Sequence, residues 1–282
     1  MRTSTIAVYC AIDSLISLSG KALTGFPEFL EGLSEASIPC VWVTSRNRMY
    51  LDATLRKFGH GAPFIGESGS GVYMPEDYFH LRPAKTTRLG RFTCIPVAAL
   101  QPAAREALDV LAEETGVEVV PLRSLSPREL SQNVGLPQRD AELLRQRDFD
   151  EVFFFAGATE DIEKFRREAV KRNLSLHAQG LLWALACGAN LATCVRDLSK
   201  LYDRAVRGHA FTIAIGTAED AIELFATCDR GILLTNRKDG DETDSDEQPE
   251  VAAKGPAPKR LPLFSPDTWE SVLEAVQTKL HA

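Results

Sequence analysis

A single carboxylate, Asp13, follows an apolar run near the start of the chain, in the stretch AVYCAIDSLIS. A carboxylate in a turn after a buried strand can act as a general acid. An enzyme that transfers phosphate through a carboxylate nucleophile carries a second, attacking acid close by, and this stretch has one acid only. An Asp in such a turn also commonly satisfies backbone donors, and this capping role is the one we favour for Asp13.

A polar stretch, Thr44-Ser45-Arg46, follows the second apolar run, IPCVWVT. Ligands of open α/β sheets bind at the carboxyl ends of strands, and helix N-termini at that edge attract anions. Ser and Thr also frequently cap the helix that comes next. The stretch therefore predicts phosphate binding by Thr44, Ser45 and Arg46, with helix capping as an equally weighted alternative.

Two adjacent acids, Glu219 and Asp220, follow the apolar run FTIAIGT. Carboxylates can hold Mg²⁺, but this ion needs several oxygen ligands in near-octahedral order. Acids in the first turn of a helix are stabilised by the helix dipole, and that position alone explains both residues. We favour this explanation and regard Glu219 and Asp220 as weak substitutes for metal ligands.

The elements that must position these residues alternate between short apolar runs and helical periodicities. Residues 1–85 contain predicted strands at 5–12 and 38–44 and a helix at 26–37, and residues 188–282 return to the same pattern. This alternation is typical of an α/β fold, a Rossmann-like, doubly wound parallel sheet. The two regions together are predicted to form one discontinuous core.

The region 86–187 restarts with its own helices and β-prone runs, among them EVFFFAG and LSLHA. This order predicts an inserted α+β cap domain.

The region 237–260 has an irregular sequence: it is acidic, contains Pro and Gly, and lacks periodicity. Such a composition cannot bury enough apolar area to offset its ordering entropy, so it predicts a disordered loop.

The overall composition of the 282 residues is that of an ordinary soluble protein, with 44% hydrophobic and 25% charged residues. The net charge of −7 offers no basic surface, which argues against a nucleic-acid partner. The six cysteines form no C-x-x-C pair and are predicted to be buried thiols. We find no 18-residue apolar span and no signal-peptide pattern, so we expect no membrane partner and a cytoplasmic location.

The order of these pieces resembles the haloacid-dehalogenase-like (HAD) hydrolases with a type IIB cap, and within them the mannosyl-3-phosphoglycerate phosphatases. IPCVWVTSR resembles the second motif of that family, and FIGESGSGVYMP resembles its E-N-G-A segment. NVGLPQRDAELLRQRDFDEVFF resembles a cap segment of these phosphatases, and FSPDTW resembles their G-P-x-G-W signature. The resemblance implies a Mg²⁺-dependent phosphatase fold and places a phosphate-binding hydroxyl at Thr44.

The same resemblance exposes a departure in the first motif. Family members begin with D-x-D-G-T, in which the first Asp attacks phosphorus and binds Mg²⁺ and the second protonates the leaving group. The corresponding run here is AIDSL, which places Ala11 at the position of the nucleophile and Asp13 at that of the acid. A methyl group cannot attack phosphorus.

The motifs that supply the family's lysine and metal ligands also differ. The lysine position falls at Leu191, and Arg196 is the alternative cation that the sequence offers for this role. The acidic positions of the fourth motif fall at Thr217 and Ala221. We therefore expect no metal cofactor, because Ala11, Thr217 and Ala221 cannot replace carboxylate ligands.

The cap strand that meets the substrate differs in the same direction. The family pattern G-x-R-F-[YW]-H corresponds to QGLLWALA, so that Leu181 and Ala184 replace the arginine and the histidine. Trp183 keeps the aromatic residue, although a lone Trp in an apolar run is more often part of a core. His177 lies nearby and is interpreted as a structural histidine.

Three hypotheses of function follow from these residues. The first, which we favour, is a non-catalytic relative that binds a sugar phosphate, another small anionic ligand or a protein. The second is an active, Mg²⁺-dependent phosphatase of a sugar phosphate such as mannosyl-3-phosphoglycerate, using Asp13 with Glu219 or Asp220. The third is an assembly role in which the acidic loop at 239–250 or an exposed apolar patch binds another protein.

Overall fold

A computed structural model describes residues 5–80, 83, 85–235, 258–263, 265 and 267–278. These residues contain thirteen strands and nine α-helices. The strands are β1 Ile6–Ala11, β2 Cys40–Val43, β3 Phe64–Gly66, β4 Gly71–Pro75, β5 Thr87–Leu89, β6 Phe92–Pro96, β7 Val119–Pro121, β8 Glu151–Phe155, β9 Leu174–Gln179, β10 Leu182–Cys187, β11 Phe211–Gly216, β12 Arg230–Thr235 and β13 Lys259–Pro262. The helices are α1 Phe26–Glu35, α2 Arg48–Lys57, α3 Gln101–Thr115, α4 Pro127–Val134, α5 Gln138–Leu144, α6 Thr159–Lys171, α7 Leu191–Val206, α8 Ala218–Phe225 and α9 Thr268–Gln277.

The larger sheet has nine strands in the order β13-β12-β11-β1-β2-β3-β4-β6-β5. Its first six strands are parallel, and β1 lies between β11 and β2. All six residues of β1 are buried, as expected for a parallel strand covered on both faces. The carboxyl ends of β1, β2 and β11 therefore meet at one edge, where the sequence places its candidate residues.

Helices cover both faces of this sheet. Residues of α1, α2 and α9 pack on one face, where Phe26, Phe29 and Trp269 form an aromatic cluster. Residues of α7 and α8 pack on the other face. This arrangement confirms the predicted α/β, Rossmann-like core.

Strands β5 and β6 bear on where the cap begins, which the sequence predicts at residue 86. Strands β5 and β6 fall inside the predicted insert 86–187, yet β6 pairs with β4 and β5 pairs with β6 in the larger sheet. The first element of the smaller layer is α3, which begins at Gln101. We therefore propose that the cap begins between the end of β6 and this helix.

The smaller layer, the cap, is an antiparallel sheet in the order β7-β8-β10-β9. Residues of α3 and α6 cover one of its faces, with Phe153, Phe165 and Leu185 at the centre. The helices α4 and α5 cover part of the other face, and Tyr50 of the core helix α2 packs in the same cluster. A capping box between Ser126 and Glu129 defines the start of α4.

Two predicted segments have different limits in the structure. The periodicity of QRDAELLRQRDF favours a helix over 138–149, but α5 ends at Leu144. The predicted loop 237–260 lies outside the described residues up to 257, and its last two residues begin β13. Within the described part of the chain, none of the helices is both long enough and apolar enough to cross a membrane.

Candidate functional site

Three loops meet at the carboxyl edge of the larger sheet. They follow β1, β2 and β11, and they carry Asp13, the stretch Thr44 to Arg46, and the start of α8. The structure thus brings together the three groups of polar residues that the sequence analysis singled out. Their hydrogen bonds show what each side chain does there.

The position expected for a nucleophile holds the buried methyl group of Ala11, which is 1% exposed at the end of β1. A Cβ placed on Gly216, at the end of the neighbouring β11, would lie 2.9 Å from the Cβ of Ala11 and 2.6 Å from that of Ala221. Ala11 and Ala221 therefore both pack closely against Gly216. Two of the positions where relatives are expected to carry acids are filled by methyl groups in contact with backbone.

The carboxylate of Asp13 is bound by the residues that were predicted to bind phosphate. The hydroxyl of Thr44 donates to Oδ1, the amide of Ser45 donates to Oδ2 at 2.7 Å, and Nε of Arg46 lies 3.3 Å from Oδ1. The Thr44 hydroxyl also accepts from the amide of Arg46 at 3.1 Å. Asp13 thus holds the loop after β2, in line with the capping role that the sequence favours.

The guanidinium group of Arg46 is only 6% exposed and faces the loop after β1. Besides Asp13, it donates to the backbone carbonyls of Asp13, Ile16 and Ser17. A buried cation with this many acceptors fixes the conformation of the loop. Its positive charge is therefore already paired within the protein.

Asp220 joins the loop after β1 to the start of α8. Its Oδ2 accepts from the amide of Ser14 at 2.9 Å, and its Oδ1 accepts from the amide and the hydroxyl of Thr217 at 3.2 and 2.8 Å. Burial raises the pKa of Asp220, and Asp13 raises it further, while the bonds from Thr217 and Ser14 lower it. Its neighbour Glu219 is exposed in the first turn of the helix.

This donor set does not fit Mg²⁺. Within the part of the chain that the structure describes, no group of three or more His, Cys, Asp or Glu side chains could hold a metal ion. The two carboxylates at this edge, Asp13 and Asp220, already accept hydrogen bonds on both oxygens. A divalent cation would share these two carboxylates with their hydrogen-bond donors and would lack the several oxygen ligands it prefers.

The position expected for a lysine is the first residue of α7, Leu191, which is buried. Its backbone lies against Gly69, because a Cβ on Gly69 would be 2.6 Å from the amide nitrogen of Leu191. The alternative cation, Arg196, is exposed and donates to Thr193 on the same helix at 3.0 Å. Neither residue supplies a positive charge to Asp13 or Asp220 in this arrangement.

The predicted cap residues fall into different surroundings. Leu181 is 80% exposed in the turn between β9 and β10, whereas Ala184 is buried beneath α5. Trp183 lies on the opposite face of the sheet, 5.2 Å from the ring of Phe155, and belongs to the cap interior.

His177 is the cap residue whose place in the structure is least expected from the sequence. Its Nε2 atom is buried and has no hydrogen-bond partner among the residues that the structure describes. Burial lowers the pKa of His177, while the charges of Glu223 on α8 and of Asp150 raise it.

Sequence reasoning missed a second polar cluster, at the boundary between the core and the cap. It is centred on Glu67 in the turn after β3, which is fully buried and accepts three backbone N–H groups of the cap. Arg147 and Asp150 form a buried ion pair beside it. The signal available in the sequence was a lone Glu between two apolar strands, in FIGESGSGVYMP.

Comparison with known proteins gives sequence relatives at low identity, and no family model matches the chain. A glucosyl-3-phosphoglycerate/mannosyl-3-phosphoglycerate phosphatase from Methanococcoides burtonii is 25% identical over 212 residues, which cover 73% of this chain and 75% of that protein. A mannosyl-3-phosphoglycerate phosphatase from Pyrococcus furiosus is 21% identical over 205 residues, covering 73% of this chain and 81% of that protein.

Solved structures resemble the fold over nearly its whole length. BT1666 from Bacteroides thetaiotaomicron, one of the phosphatases of the HAD superfamily, has a TM-score of 0.62 and 16% identity, covering 98% of this chain and 97% of its own. The HAD subclass IIB sugar phosphatase BT4131 has a TM-score of 0.60 and 12% identity, covering 98% and 99%. The likeness therefore extends over both layers of the molecule.

Proposed function

We propose that this chain, which has the haloacid-dehalogenase-like fold with a type IIB cap, binds a ligand or a protein without hydrolysing phosphate esters. Its sequence is similar to those of mannosyl-3-phosphoglycerate phosphatases, and this similarity is the premise of the proposal. The similarity confirms the family resemblance that the sequence motifs predict. The loss of activity is our inference from the residues at the carboxyl edge of the sheet.

The observation that carries this proposal is the methyl group of Ala11 at the end of the central strand. Phosphoryl transfer by this route needs a carboxylate that forms an acyl-phosphate. Ala11 has no nucleophilic atom, and it is buried against Gly216. The nearest carboxylate, Asp13, is held by Thr44, Ser45 and Arg46. If Asp13 acted as the nucleophile in place of residue 11, it would have to break these contacts, which shape the loop.

Electrostatics supports the same conclusion. A transferring phosphoryl group carries negative charge, which phosphatase sites offset with cations. The buried guanidinium of Arg46 is already paired, Leu191 stands where a lysine is expected, and the carboxylates present do not fit Mg²⁺. The negative charge that develops during phosphoryl transfer would therefore arise beside Asp13 and Asp220 without a free cation to stabilise it, which opposes the reaction.

The binding role that we propose is cytoplasmic and involves either a small sugar-like or anionic ligand or a protein partner, not nucleic acid or membrane. The carboxylate of Asp13 is still about a quarter exposed, so the edge of the sheet is not sealed. Such partial exposure leaves polar groups for a bound molecule, while the missing nucleophile leaves it unreacted.

The test is phosphate release by the purified full-length chain from mannosyl-3-phosphoglycerate and a panel of sugar phosphates, with Mg²⁺ and with a chelator. We expect no chelator-sensitive release, and the variant Asp13→Asn should match the unmodified chain. An active phosphatase assayed in parallel controls the substrates. Chelator-sensitive release that disappears in Asp13→Asn would overturn the proposal and assign the nucleophile to Asp13.

The binding half of the proposal is measured by calorimetry with the same compounds and by co-purification of partners. Saturable binding of a sugar phosphate without turnover would support a ligand-binding role. A saturating partner whose binding is weakened by substitutions in the loops after β1 and β2 would support a protein-binding role. Absence of both would contradict a binding role at this edge.

A further inference from the structure

The chain passes between core and cap at two neighbouring connections. Near the first, the amides of Val97 and Ala98 both donate to the carbonyl of Ser70 at 2.9 Å. Near the second, the amide of Asn190 donates to the carbonyl of Gly69 at 3.0 Å. Two adjacent connections alone would form a hinge about which a cap could swing.

Residues 147–150 of the cap also contact the core, although they are not a connection between the two domains. Glu67 of the core binds their backbone. The side chain of Glu67 is 0% exposed. Its Oε1 accepts from the amide of Asp148 at 2.9 Å, and its Oε2 accepts from the amides of Phe149 and Asp150 at 2.9 and 3.0 Å. Three amides of one domain thus converge on a single carboxylate of the other.

Arg147 places a buried cation in the same cluster. Its Nη2 donates to Oδ2 of Asp150 at 2.6 Å and to the carbonyl of Ser45 in the core at 2.8 Å, and its Nε lies 4.0 Å from Oε2 of Glu67. Burial, and then the charge of Asp150, raise the pKa of Glu67, while Arg147 and the backbone amides that donate to it lower it. Arg147 and Asp150 would stay paired if the two domains separated, but Arg147 would leave the carbonyl of Ser45 and the carboxylate of Glu67 would lose its neighbouring cation.

The remaining side chains of the segment also contact the core. Arg48 forms a two-pronged ion pair with Asp148 at 2.9 and 3.0 Å, and the hydroxyl of Tyr73 donates to the same carboxylate at 2.9 Å. Phe149 is fully buried in the main hydrophobic core. A Cβ on Gly71 would lie 2.7 Å from its ring, so the glycine leaves the space that the ring needs.

We propose that residues 147–150 act as a clamp that holds the cap on the core in one orientation and prevents it from swinging about its two connections. Opening would have to withdraw Phe149 from the core, break the three bonds to Glu67, and separate Arg147 from Ser45. These losses occur together, because the four residues are consecutive. The clamp does not depend on whether the site hydrolyses phosphate.

The clamp also connects the cap to the candidate site through the backbone of a single residue, Ser45. The amide of Ser45 donates to Asp13, while the carbonyl of Ser45 accepts from Arg147 and from Gln179 of β9, the latter at 3.3 Å. The loop after β2 is therefore fixed from the core side and from the cap side. A ligand at Asp13 would bind to a loop whose position depends on the closed cap.

Hydrogen exchange of the full chain, followed by mass spectrometry, tests the clamp. In the unmodified protein, a peptide spanning 147–151 should exchange as slowly as one spanning β1, because its amides are released only on global unfolding. The variant Glu67→Gln loses the charge and one acceptor oxygen. We expect its 147–151 peptide to exchange at least about tenfold faster while the β1 peptide is unchanged.

The matched control is Glu76→Gln, an exposed Glu whose substitution should leave both peptides unchanged. Exchange of 147–151 in the unmodified protein about a hundredfold faster than β1 would overturn the proposal, since the clamp would then open freely. Unchanged exchange in Glu67→Gln would also overturn it. If that variant does not fold, Arg48→Gln serves instead, with exchange at 147–151 about threefold faster expected and no change contradicting the clamp.

Discussion

At the residue scale, the carboxyl edge of the sheet combines small residues with paired charges. Ala11 and Ala221 pack against Gly216, while Asp13 and Asp220 are each bound by donors from a neighbouring loop. Clustered acids need a cation to offset their mutual repulsion, so an added carboxylate here would be uncompensated. The existing arrangement is satisfied without any bound group.

The variant Ala11→Asp tests whether this edge still accommodates a nucleophile. We expect it to destabilise the protein by about 3 to 5 kcal/mol, because a buried carboxylate gains no lysine and no metal. It should not release phosphate. Urea unfolding at neutral pH gives the free energy of unfolding.

The matched control for that substitution is Ala11→Asn, which has a similar volume and no charge. It should destabilise the protein less than the aspartate does, and the gap between the two variants should shrink at low pH as the new carboxyl becomes protonated. Equal stability at neutral pH, or stabilisation of Ala11→Asp by added Mg²⁺, would show that the edge can hold a charged nucleophile.

The residue types at the site were readable from the sequence, but their partners were not. The sequence predicts that Thr44, Ser45 and Arg46 bind phosphate or cap a helix, and the structure adds that all three contact Asp13. The choice between these roles depends on distances between loops that are far apart in the chain. Local patterns carry no information about such distances.

At the element scale, the length of α5 shows how a tertiary contact ends a helix. The sequence keeps its periodicity through 149, yet the helix stops at Leu144. The side chain of Asn47 donates to the carbonyls of Leu143 and Leu144 at 2.8 and 3.3 Å, and Glu67 takes the amides that follow. Core residues thus replace the hydrogen bonds that a further helical turn would make.

Asn47 is also the N-cap of α2, because its Oδ1 accepts from the amide of Tyr50 at 2.7 Å. Asn47→Ser should keep the cap but lose the donors to α5, at about 1 to 3 kcal/mol, since the buried bond to the carbonyl of Leu144 is lost and the carbonyl of Leu143 keeps only the amide of Gln146. Asn47→Ala should lose both and cost about 1 kcal/mol more.

Urea unfolding of these two Asn47 variants and the unmodified protein separates the two contributions. Equal stabilities of the Ser and Ala variants would show that the cap of α2 contributes nothing. A Ser variant as stable as the unmodified protein would show the same for the contact with α5. Exchange in a peptide covering α5 should increase in both variants.

The sequence predicts the positions of helices and strands well where a local periodicity defines them. It predicts less well which sheet a strand joins, because that depends on pairing with another strand. Helix α1 and strand β1 fall within the segments predicted at 26–37 and 5–12, and β11 coincides with the apolar run FTIAIGT. Strands β5 and β6 were assigned to the cap, since only the pairing of β6 with β4 shows which sheet they extend. The hydrophobic pattern of a short strand does not identify its neighbour.

At the scale of the whole molecule, buried ionisable groups connect stability to pH. The ring of His60 stacks on Trp42 with centroids 4.2 Å apart, and burial lowers the pKa of His60 to about 4. The unfolded chain therefore binds a proton at His60 at a higher pH than the folded chain does. The contribution of His60 to stability is present above about pH 6.5 and is lost as pH falls towards 4.

The variant His60→Phe keeps an aromatic ring on Trp42 and removes this titration. Between pH 7 and 4.5 its stability relative to the unmodified protein should rise, by at most about 3 kcal/mol, as measured by urea unfolding. The pH dependence that remains includes a contribution from His177, whose pKa burial also lowers. His80→Phe, at an exposed position, is the control, and a pH-independent difference for His60→Phe would contradict the assignment.

The central position of β1 has a consequence for synthesis on the ribosome. Ile6 pairs with Phe211, so one neighbour of this strand is among the last elements to be made, after the entire cap. Until then the nascent core exposes an open apolar edge beside Tyr9, and contacts this distant in sequence form slowly. The larger sheet can therefore be completed only after the cap has been synthesised. We expect a chain truncated before β11 to aggregate.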